Sequence, residues 1–292
     1  MTSPAQQLRS LLAAPGILPM PCCFDALSAR LIEQAGFPLT FMSGFAVSAT
    51  RLGLPDTGLI SYGEMVDQGG NITASVRIPV IGDGDTGYGN AVNVQRTVRG
   101  YAQAGLACVM LEDQVAPKRC GHTEGKQVVE RAEAFGRIQA AVEARDQGAD
   151  ILIMARTDAR ATHGIDEAIR RCQEFAAMGA DITFLEAPRS EEEMRLYCAE
   201  VPGPKMVNLL EQGHTPLLPL PALAEMGFAI AAWPLTLLNV AIHAMQQALA
   251  ELAQGRQPNV PLGFAELRRV VGFDDYHATA ARYATSEPPF KD

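Results

Sequence analysis

The chain repeats one unit eight times: a short apolar run with a polar or glycine-bearing tip, followed in most cases by a stretch with helical periodicity. Apolar runs that alternate with amphipathic stretches are typical of parallel strands joined by helices. Eight such units in 292 residues predict a (β/α)8 TIM barrel. The predicted strands are Ile17–Pro21, Leu39–Ser43, Ile78–Asp83, Ala107–Glu112, Ile151–Arg156, Ile182–Glu186, Lys205–Asn208 and Phe228–Trp233.

Residues that start and stop helices separate these units. Asp25 is placed to cap a helix over Ala26–Gln34, and Asn90 to cap one over Ala91–Ala104. Further helices are predicted over Glu130–Arg145, Asp166–Met178, Glu191–Ala199 and Leu235–Leu252. Since no low-complexity linker divides the chain, we expect a single domain over residues 1–292, with the barrel over about residues 15–255.

A ninth helical segment remains after the eight units. It covers about residues 262–285, follows the proline-containing stretch Gln257–Pro261 and is predicted to be helical over Phe264–Ala284. Its apolar stripe consists of Phe264, Leu267, Val270, Val271 and Phe273. Such a stripe needs burial, either on the underside of its own barrel or on a neighbouring subunit.

Composition excludes several classes of protein. A formal net charge of -9 argues against a surface for nucleic acid, which needs clustered Lys and Arg. No apolar run approaches the roughly 20 residues of a membrane span, and no signal peptide opens the chain. The six cysteines show no C-x-x-C spacing, so we expect reduced thiols and a cytoplasmic enzyme.

Carboxylates follow two neighbouring predicted strands. Asp83 and Asp85 end the third strand and Glu112 ends the fourth. Residues i and i+2 of an extended chain share a side, and the carboxyl ends of barrel strands meet at one face. An all-oxygen set without His or Cys at ligand spacing favours Mg²⁺, for which Mn²⁺ can substitute. The alternative is a helix cap beside a solvated turn.

Cys120 is a candidate for general acid–base chemistry. Lys118 and Arg119 precede it and His122 follows, and these neighbours are expected to lower the pKa of the thiol. Its place directly after the Glu112 strand would bring it over the metal. The alternative is a free surface cysteine with chance neighbours.

Arg156 ends the fifth predicted strand. Its guanidinium has five donors in a fixed plane and can bind a carboxylate through two of them. The sequence therefore indicates a substrate carboxylate, and the alternative is a structural salt bridge to Glu112 or Glu186.

Together these motifs resemble the isocitrate lyase/phosphoenolpyruvate mutase superfamily from about residue 15 to the C-terminus. The motifs are Ser43-Gly44, Asp56, Asp83-x-Asp85-Thr86-Gly87, Glu112-Asp113-Gln114, Lys118-Arg119-Cys120-Gly121-His122, Arg156-Thr157-Asp158 and Asn208-x-x-Glu211. The Lys-Arg-Cys-Gly-His segment resembles the C–C lyase branch, and Gly125-Lys126 is most similar to the 2-alkylmalate lyases. The 2-methylisocitrate lyases are near relatives.

The resemblance implies roles for individual residues. Asp83 would bind Mg²⁺ directly, with Asp85, Asp56 and Glu112 acting through waters. Cys120 would protonate the carbanion left by C–C cleavage, while Arg156 would hold its charge and Glu112 would assist. The implied substrate contacts are Phe41, Ser43, Gly44, Phe45, Gly121, His122, Glu186 and Asn208. The resemblance also implies a homotetramer, a dimer of dimers, with the C-terminal helix exchanged between subunits.

Departures from the family pattern bear on the substrate. Thr123 and Asn239 stand where methylisocitrate lyases have arginines, which weakens the case for a tricarboxylate. Pro234 differs from the serine typical of oxaloacetate hydrolases, and Phe41 replaces a tyrosine of several relatives. We therefore expect a lyase that cleaves a 2-alkylmalate such as 2,3-dimethylmalate to a 2-oxo acid such as pyruvate and a carboxylate. The alternatives are a 2-methylisocitrate lyase that yields pyruvate and succinate, an oxaloacetate decarboxylase or hydrolase, and a non-catalytic oligomeric barrel.

Overall fold

Eight parallel strands close into a barrel in chain order, with β8 paired to β1. The computed structural model of the chain describes residues 2–119 and 125–284. The strands are β1 (Leu18–Cys23), β2 (Thr40–Met42), β3 (Val80–Asp83), β4 (Cys108–Glu112), β5 (Leu152–Thr157), β6 (Ile182–Leu185), β7 (Lys205–Asn208) and β8 (Ile230–Trp233). The predicted TIM barrel is confirmed, because each strand falls on one of the eight apolar runs.

Helices alternate with the strands along most of the chain. Those of the described residues are α1 (Pro4–Ala13), α2 (Ala26–Gln34), α3 (Gly44–Val47), α4 (Tyr62–Thr73), α5 (Ala91–Gln103), α6 (Arg131–Asp146), α7 (Ala159–His163), α8 (Ile165–Ala177), α9 (Glu191–Glu200), α10 (Leu220–Met226), α11 (Thr236–Ala253), α12 (Phe264–Val271) and α13 (Phe273–Ala281). A short π-helical turn, Ser48–Leu52, continues α3.

The predicted caps are present. The Asp25 carboxylate accepts a hydrogen bond from Ser28 N at 2.7 Å, and the Asn90 side chain accepts one from Val92 N at 3.0 Å. Each bond satisfies a backbone donor that the first turn of a helix leaves without a partner. The polar residues before α2 and α5 therefore set where these helices begin.

One cluster of apolar side chains fills the barrel interior. Its strand residues alternate with outward-facing ones and include Met20, Ile81, Met110, Met154, Phe184 and Met206. The N-terminal helix α1 packs Ala5 and Leu8 against the same cluster. With the interior filled in this way, the side chains at the carboxyl ends of the strands are available to form a pocket.

The chain divides into two compact units, Met1–Asn239, which contains the barrel, and Val240–Asp292. The prediction of one helix over Phe264–Ala284 is wrong in detail, because Gly272 adopts a left-handed conformation with φ 93° and separates α12 from α13. Glycine adopts this conformation without the strain a side chain would add.

The second unit exposes many large apolar side chains. They are Val240, Ile242, Met245, Leu249, Leu252, Val260, Leu262, Phe264, Leu267, Val271, Phe273, Tyr276 and Tyr283. None of the described helices is long and apolar enough to cross a membrane.

Candidate active site

A pocket opens among the side chains at the carboxyl ends of the strands. Its lining combines carboxylates and cations with a broad apolar wall. The lining includes Cys22, Phe41, Ser43, Phe45, Asp56, Asp83, Met110, Lys118, Arg119, Arg156, Phe184, Glu186, Met206, Asn208, Leu210, Ala232, Pro234 and Leu235. Most of the predicted site residues that the structure describes therefore meet at one place. Cys120, Gly121 and His122 lie outside the described residues.

Lys118 is the centre of the carboxylate cluster. Its Nζ lies 2.6 Å from Asp56 Oδ1 and 2.9 Å from Asp85 Oδ1. Burial alone would lower the pKa of Lys118, but the neighbouring carboxylates, Asp85 foremost, raise it well above its usual value. The sequence suggested that this lysine acts on the Cys120 thiol, whereas in the structure its charge pairs with the carboxylates.

The carboxylates of the cluster are held in a medium that disfavours their charge. Burial is the largest influence on Asp85 and raises its pKa to about 7, against the opposing attraction of Lys118. Burial also raises the pKa of Glu112 well above its usual value, and that of Asp56 to a smaller extent. Removing carboxylates from water penalises their ionised form unless a cation compensates. The cluster therefore has more negative groups than one ammonium neutralises.

Asp83 is fixed by two backbone donors. Gly44 N donates to Asp83 Oδ2 at 3.2 Å, and Asp85 N donates to Asp83 Oδ1 at 3.0 Å. A Cβ at Gly44 would lie 2.5 Å from Asp83 Oδ2, so no side chain fits there. The Ser43-Gly44 motif thus orients Asp83, while the side chains of Ser43 and Phe45 line the pocket.

Arg156 is buried among three carboxylates. Asp158 accepts from its Nε at 2.9 Å and from its Nη2 at 3.1 Å. Glu112 Oε2 lies 3.3 Å from Nε, and Glu186 Oε2 lies 3.2 Å from Nη2. Both salt bridges of the structural alternative are therefore present, and a third partner, Asp158, binds through two oxygens.

A second network, which the sequence did not predict, lies behind Arg156. Lys126 Nζ lies 2.7 Å from Asp158 Oδ1, and both side chains are buried. Asp113 accepts hydrogen bonds from Thr157 Oγ1 and Asp158 N, and Arg171 donates to the same carboxylate. The motifs of the sequence contain the members of this network except Arg171, but they do not show the contacts, because these join positions far apart along the chain.

Two amide side chains complete the polar part of the site. Asn208 Nδ2 donates to Glu186 Oε2 at 3.2 Å, which joins the ends of β6 and β7. Gln114 Nε2 donates to Arg119 O, and Arg119 N donates to Gln114 Oε1, each at 2.9 Å. This paired contact fixes the backbone just before Cys120. The sequence assigned no role to Gln114.

The donor set fits a divalent cation that keeps its own water. Within residues 2–119 and 125–284, no three His, Cys, Asp or Glu side chains are arranged to ligate one ion directly. Glu112 Oε1 is buried without a hydrogen-bond partner in the described structure. A buried, partnerless carboxylate oxygen beside Asp83, Asp85 and Asp56 suits Mg²⁺, which retains waters and binds protein through one or two carboxylates.

The sequence matches a protein-family model and is similar to proteins named as lyases. A family model described as phosphoenolpyruvate phosphomutase matches residues 8–253. A 2,3-dimethylmalate lyase of Eubacterium barkeri is 41% identical over 285 residues, which cover 96% of this chain and 98% of that protein. A 2-methylisocitrate lyase of Aeropyrum pernix is 38% identical over 277 residues, covering 94% and 89% of the two chains.

Solved structures share the fold over almost the whole chain. A 2,3-dimethylmalate lyase aligns with a TM-score of 0.93 and 35% identity, covering 100% of this chain and 99% of that one. An oxaloacetate acetylhydrolase with the inhibitor 3,3-difluorooxalacetate aligns with a TM-score of 0.93 and 35% identity, covering 98% and 99%. A phosphonopyruvate hydrolase in complex with oxalate and Mg²⁺ aligns with a TM-score of 0.85 and 29% identity, covering 96% and 99%.

Proposed function

Because this chain belongs to the phosphoenolpyruvate mutase/isocitrate lyase superfamily and is a carbon–carbon lyase, we propose that it cleaves a 2-alkylmalate such as 2,3-dimethylmalate. The reaction needs Mg²⁺, which Mn²⁺ can replace. The products are a 2-oxo acid such as pyruvate and a second carboxylate.

The observation that carries this proposal is the hydrogen bonding of the Arg156 guanidinium. Its Nε and Nη2 contact protein carboxylates, whereas Nη1 donates no hydrogen bond to any of the described residues. Arg156 lines the pocket, so this nitrogen is the donor that remains for a substrate carboxylate. A charged donor in a buried site stabilises developing negative charge much better than it would in water.

The rest of the lining favours alkyl substituents over a third carboxylate. Lys118 is already paired with Asp56 and Asp85, and Arg156 is the lining cation proposed to meet a substrate carboxylate. The apolar wall of the pocket consists of Phe41, Phe45, Met110, Phe184, Met206, Leu210, Pro234 and Leu235. Burying a methyl or ethyl group against such a wall is favourable, whereas burying an unpaired carboxylate is costly.

Asp83, Asp85, Asp56 and Glu112 would hold the Mg²⁺. When bound, the ion would orient the 2-hydroxyl and carboxylate oxygens and polarise them as a Lewis acid. The identity of the metal is supported by the oxygen-only donor set and by the similarity to the phosphonopyruvate hydrolase complex that contains Mg²⁺.

The residues of the chain would divide the reaction between them. Ser43, Gly44 and Phe45 would contact the carboxylate of the 2-oxo acid half, with the Ser43 hydroxyl and the Phe45 N–H as donors while the Gly44 N–H orients Asp83. Once a base has accepted the proton of the 2-hydroxyl, C2 forms a carbonyl and the C2–C3 electron pair moves to the other fragment. Arg156 would hold the charge of the resulting enediolate, and Cys120 would deliver a proton to C3.

The remaining predicted contacts surround these groups. Glu186 and Asn208 would complete the substrate shell from the side of β6 and β7. Glu112 would assist beside the metal, and Phe41 would pack against the substrate. Gly121 and His122 would contact the substrate from the segment that contains Cys120.

Two other substrates have specific support. 2-Methylisocitrate is favoured by the similarity to the lyase of Aeropyrum pernix, and Thr123 and Asn239 argue against it because both lack a positive charge. Oxaloacetate is favoured by the similarity to the acetylhydrolase structure, and Pro234 in the pocket lining argues against it because proline offers no hydroxyl.

We also propose a cytoplasmic homotetramer, a dimer of dimers, in which the segment over about residues 262–285 associates with a neighbouring subunit. The exposed apolar side chains of this segment support association, because their burial would contribute about 25 cal/mol for each Å² removed from water. The described cysteines, Cys22, Cys23, Cys108, Cys172 and Cys198, are all free thiols, which suits a reducing compartment.

A substrate panel tests the proposed activity. Purified protein with Mg²⁺ is incubated with 2,3-dimethylmalate, 2-methylisocitrate and oxaloacetate, and pyruvate, succinate and oxalate are measured. We expect pyruvate from the alkylmalate, loss of activity with EDTA and recovery with Mg²⁺ or Mn²⁺. Undiminished turnover after exhaustive chelation would refute the requirement for a metal. Oxalate as the main product would favour oxaloacetate hydrolase activity over alkylmalate cleavage.

A further inference from the structure

Four side chains restrain the guanidinium of Arg156, and they restrain it unequally. Asp158 binds it through two oxygens, with Oδ2 on Nε and Oδ1 on Nη2. The Phe184 ring lies beneath the guanidinium, with its centroid 5.3 Å from Cζ. Glu112 and Glu186 make one longer contact each, at 3.3 and 3.2 Å. Asp158 and Phe184 therefore define the plane and rotation of the group.

We propose that Asp158 is a positioning residue for the lyase reaction. By occupying Nε and Nη2, it leaves Nη1 as the edge of Arg156 that meets the substrate carboxylate. Paired parallel bonds between a guanidinium and a carboxylate fix orientation as well as distance, which a single contact does not. This inference rests on the proposed function, in which Arg156 binds substrate.

Asp158 is itself held from two other parts of the barrel. Lys126 Nζ lies 2.7 Å from Oδ1, and Asp113 Oδ1 accepts the Asp158 backbone N–H at 2.9 Å. Asp113 is fixed in turn by the Thr157 hydroxyl and by Arg171 from α8. The position of Nη1 thus depends on contacts that bind the ends of β4 and β5 to a helix.

A second explanation of Asp158 is that it only neutralises Lys126. In that case the carboxylate would matter for charge balance, and removing both charges together would restore the site. If Asp158 positions Arg156, removing Lys126 as well cannot restore the bidentate contact. A double variant therefore separates the two explanations, as coupled pairs in general require.

The experiment measures binding of oxalate, a small dianion, to the metal-loaded full-length protein by calorimetry, together with turnover of 2,3-dimethylmalate. The variants are Asp158→Asn, Lys126→Met and the double variant. Asp158→Glu keeps the charge but lengthens the side chain, and it serves if the asparagine variant does not fold. Asp181→Asn is the control, because Asp181 pairs with Arg9 and Arg145 and does not line the pocket.

We expect Asp158→Asn and Asp158→Glu to weaken oxalate binding and lower kcat/KM by at least about tenfold each, while the melting temperature of the glutamate variant stays near that of the parent. The double variant should be no better than Asp158→Asn. Recovery of the double variant to within about threefold of the parent would overturn the proposal, as would parental binding and kinetics in either single Asp158 variant. If the parent cleaves none of the alkylmalates, the proposed substrate fails, and oxalate binding still decides the role of Asp158.

Discussion

Lys118 and Asp85 form a buried ion pair in which Nζ lies 2.9 Å from Oδ1 and each side chain is 5% exposed. Asp85 is also one of the carboxylates proposed to hold Mg²⁺. The ammonium and the metal therefore draw on the same negative charge. Metal binding therefore depends on the fraction of Asp85 that is ionised.

The first prediction follows from the pKa of Asp85, which burial raises to about 7. Below this pH the carboxyl group of the metal-free protein carries a proton that the cation must displace, and above it the carboxylate is already charged. We expect Mg²⁺ affinity to fall below pH 7 by up to about tenfold per pH unit. Titration calorimetry across this range measures the effect.

Asp85→Asn supplies the control for that titration. The amide should weaken Mg²⁺ binding above pH 7 and should reduce its pH dependence, because one titrating carboxyl group is gone while Glu112, whose pKa burial also raises, remains. An affinity that is equal on both sides of pH 7 in the parent protein would contradict the account of Asp85.

The second prediction concerns Arg156. Arg156→Lys keeps the positive charge but cannot donate to Asp158, Glu186 and a substrate from one rigid plane. We expect kcat/KM to fall by roughly 10²-fold, as for loss of a donor to developing charge. Arg160→Lys is the matched control, because Arg160 pairs with Glu193 and does not line the pocket. Equal kinetics for the parent and Arg156→Lys would show that Arg156 is structural.

The third prediction concerns the proton donor. Cys120→Ser should lower kcat by roughly 10²- to 10⁴-fold, because a hydroxyl is a much weaker acid than a thiol, while substrate binding persists. Cys198→Ser serves as the control, since this partly exposed thiol does not line the pocket. Near-normal kcat in the Cys120 variant would remove that residue from the chemistry.

Much of the barrel could be predicted because its signal is local. Each strand is an apolar run, and the residues that cap α2 and α5 stand next to the helices they start. The helix α1 was missed although Ser3 and Gln6 form a capping box before it. The helix α4 was missed because Gly63, Gly69 and Gly70 lower its helix propensity.

Packing explains one of those glycines. A Cβ at Gly69 would lie 3.1 Å from Leu106 Cδ1, so the glycine lets α4 approach a neighbouring buried side chain closely. Propensity alone cannot reveal such a contact, because Leu106 is distant in the chain.

The sequence predicted most of the residues of the candidate site, but it did not predict which of them contact one another. The sequence grouped Asp83, Asp85, Glu112 and Arg156, and all four contribute to the same region. It placed Lys118 beside the Cys120 thiol, because a sequence shows which residues are neighbours in the chain and does not show which are neighbours in space. The pairing of Lys118 with Asp56 and of Lys126 with Asp158 appears only once the barrel brings distant strand ends together.

The fourth prediction concerns the C-terminal segment. Ending the chain after Gly255 removes α12 and α13 with their exposed apolar residues, so we expect the oligomer to dissociate and activity to be lost. Phe264→Ser should also weaken assembly, because Phe264 is 75% exposed and apolar. Glu266→Gln, which removes no apolar side chain, is the control and should leave assembly unchanged. Light scattering measures both. A truncated protein that remains tetrameric would show that this segment does not hold subunits together.

The specificity for an alkylmalate rests on the apolar wall of the pocket and on the small number of cations available to a third carboxylate. The most direct measurement is the ratio of kcat/KM for 2,3-dimethylmalate to kcat/KM for 2-methylisocitrate, followed through pyruvate release with Mg²⁺. The account predicts a ratio well above one. A 2-methylisocitrate turnover that is at least as efficient as that of any 2-alkylmalate would contradict it.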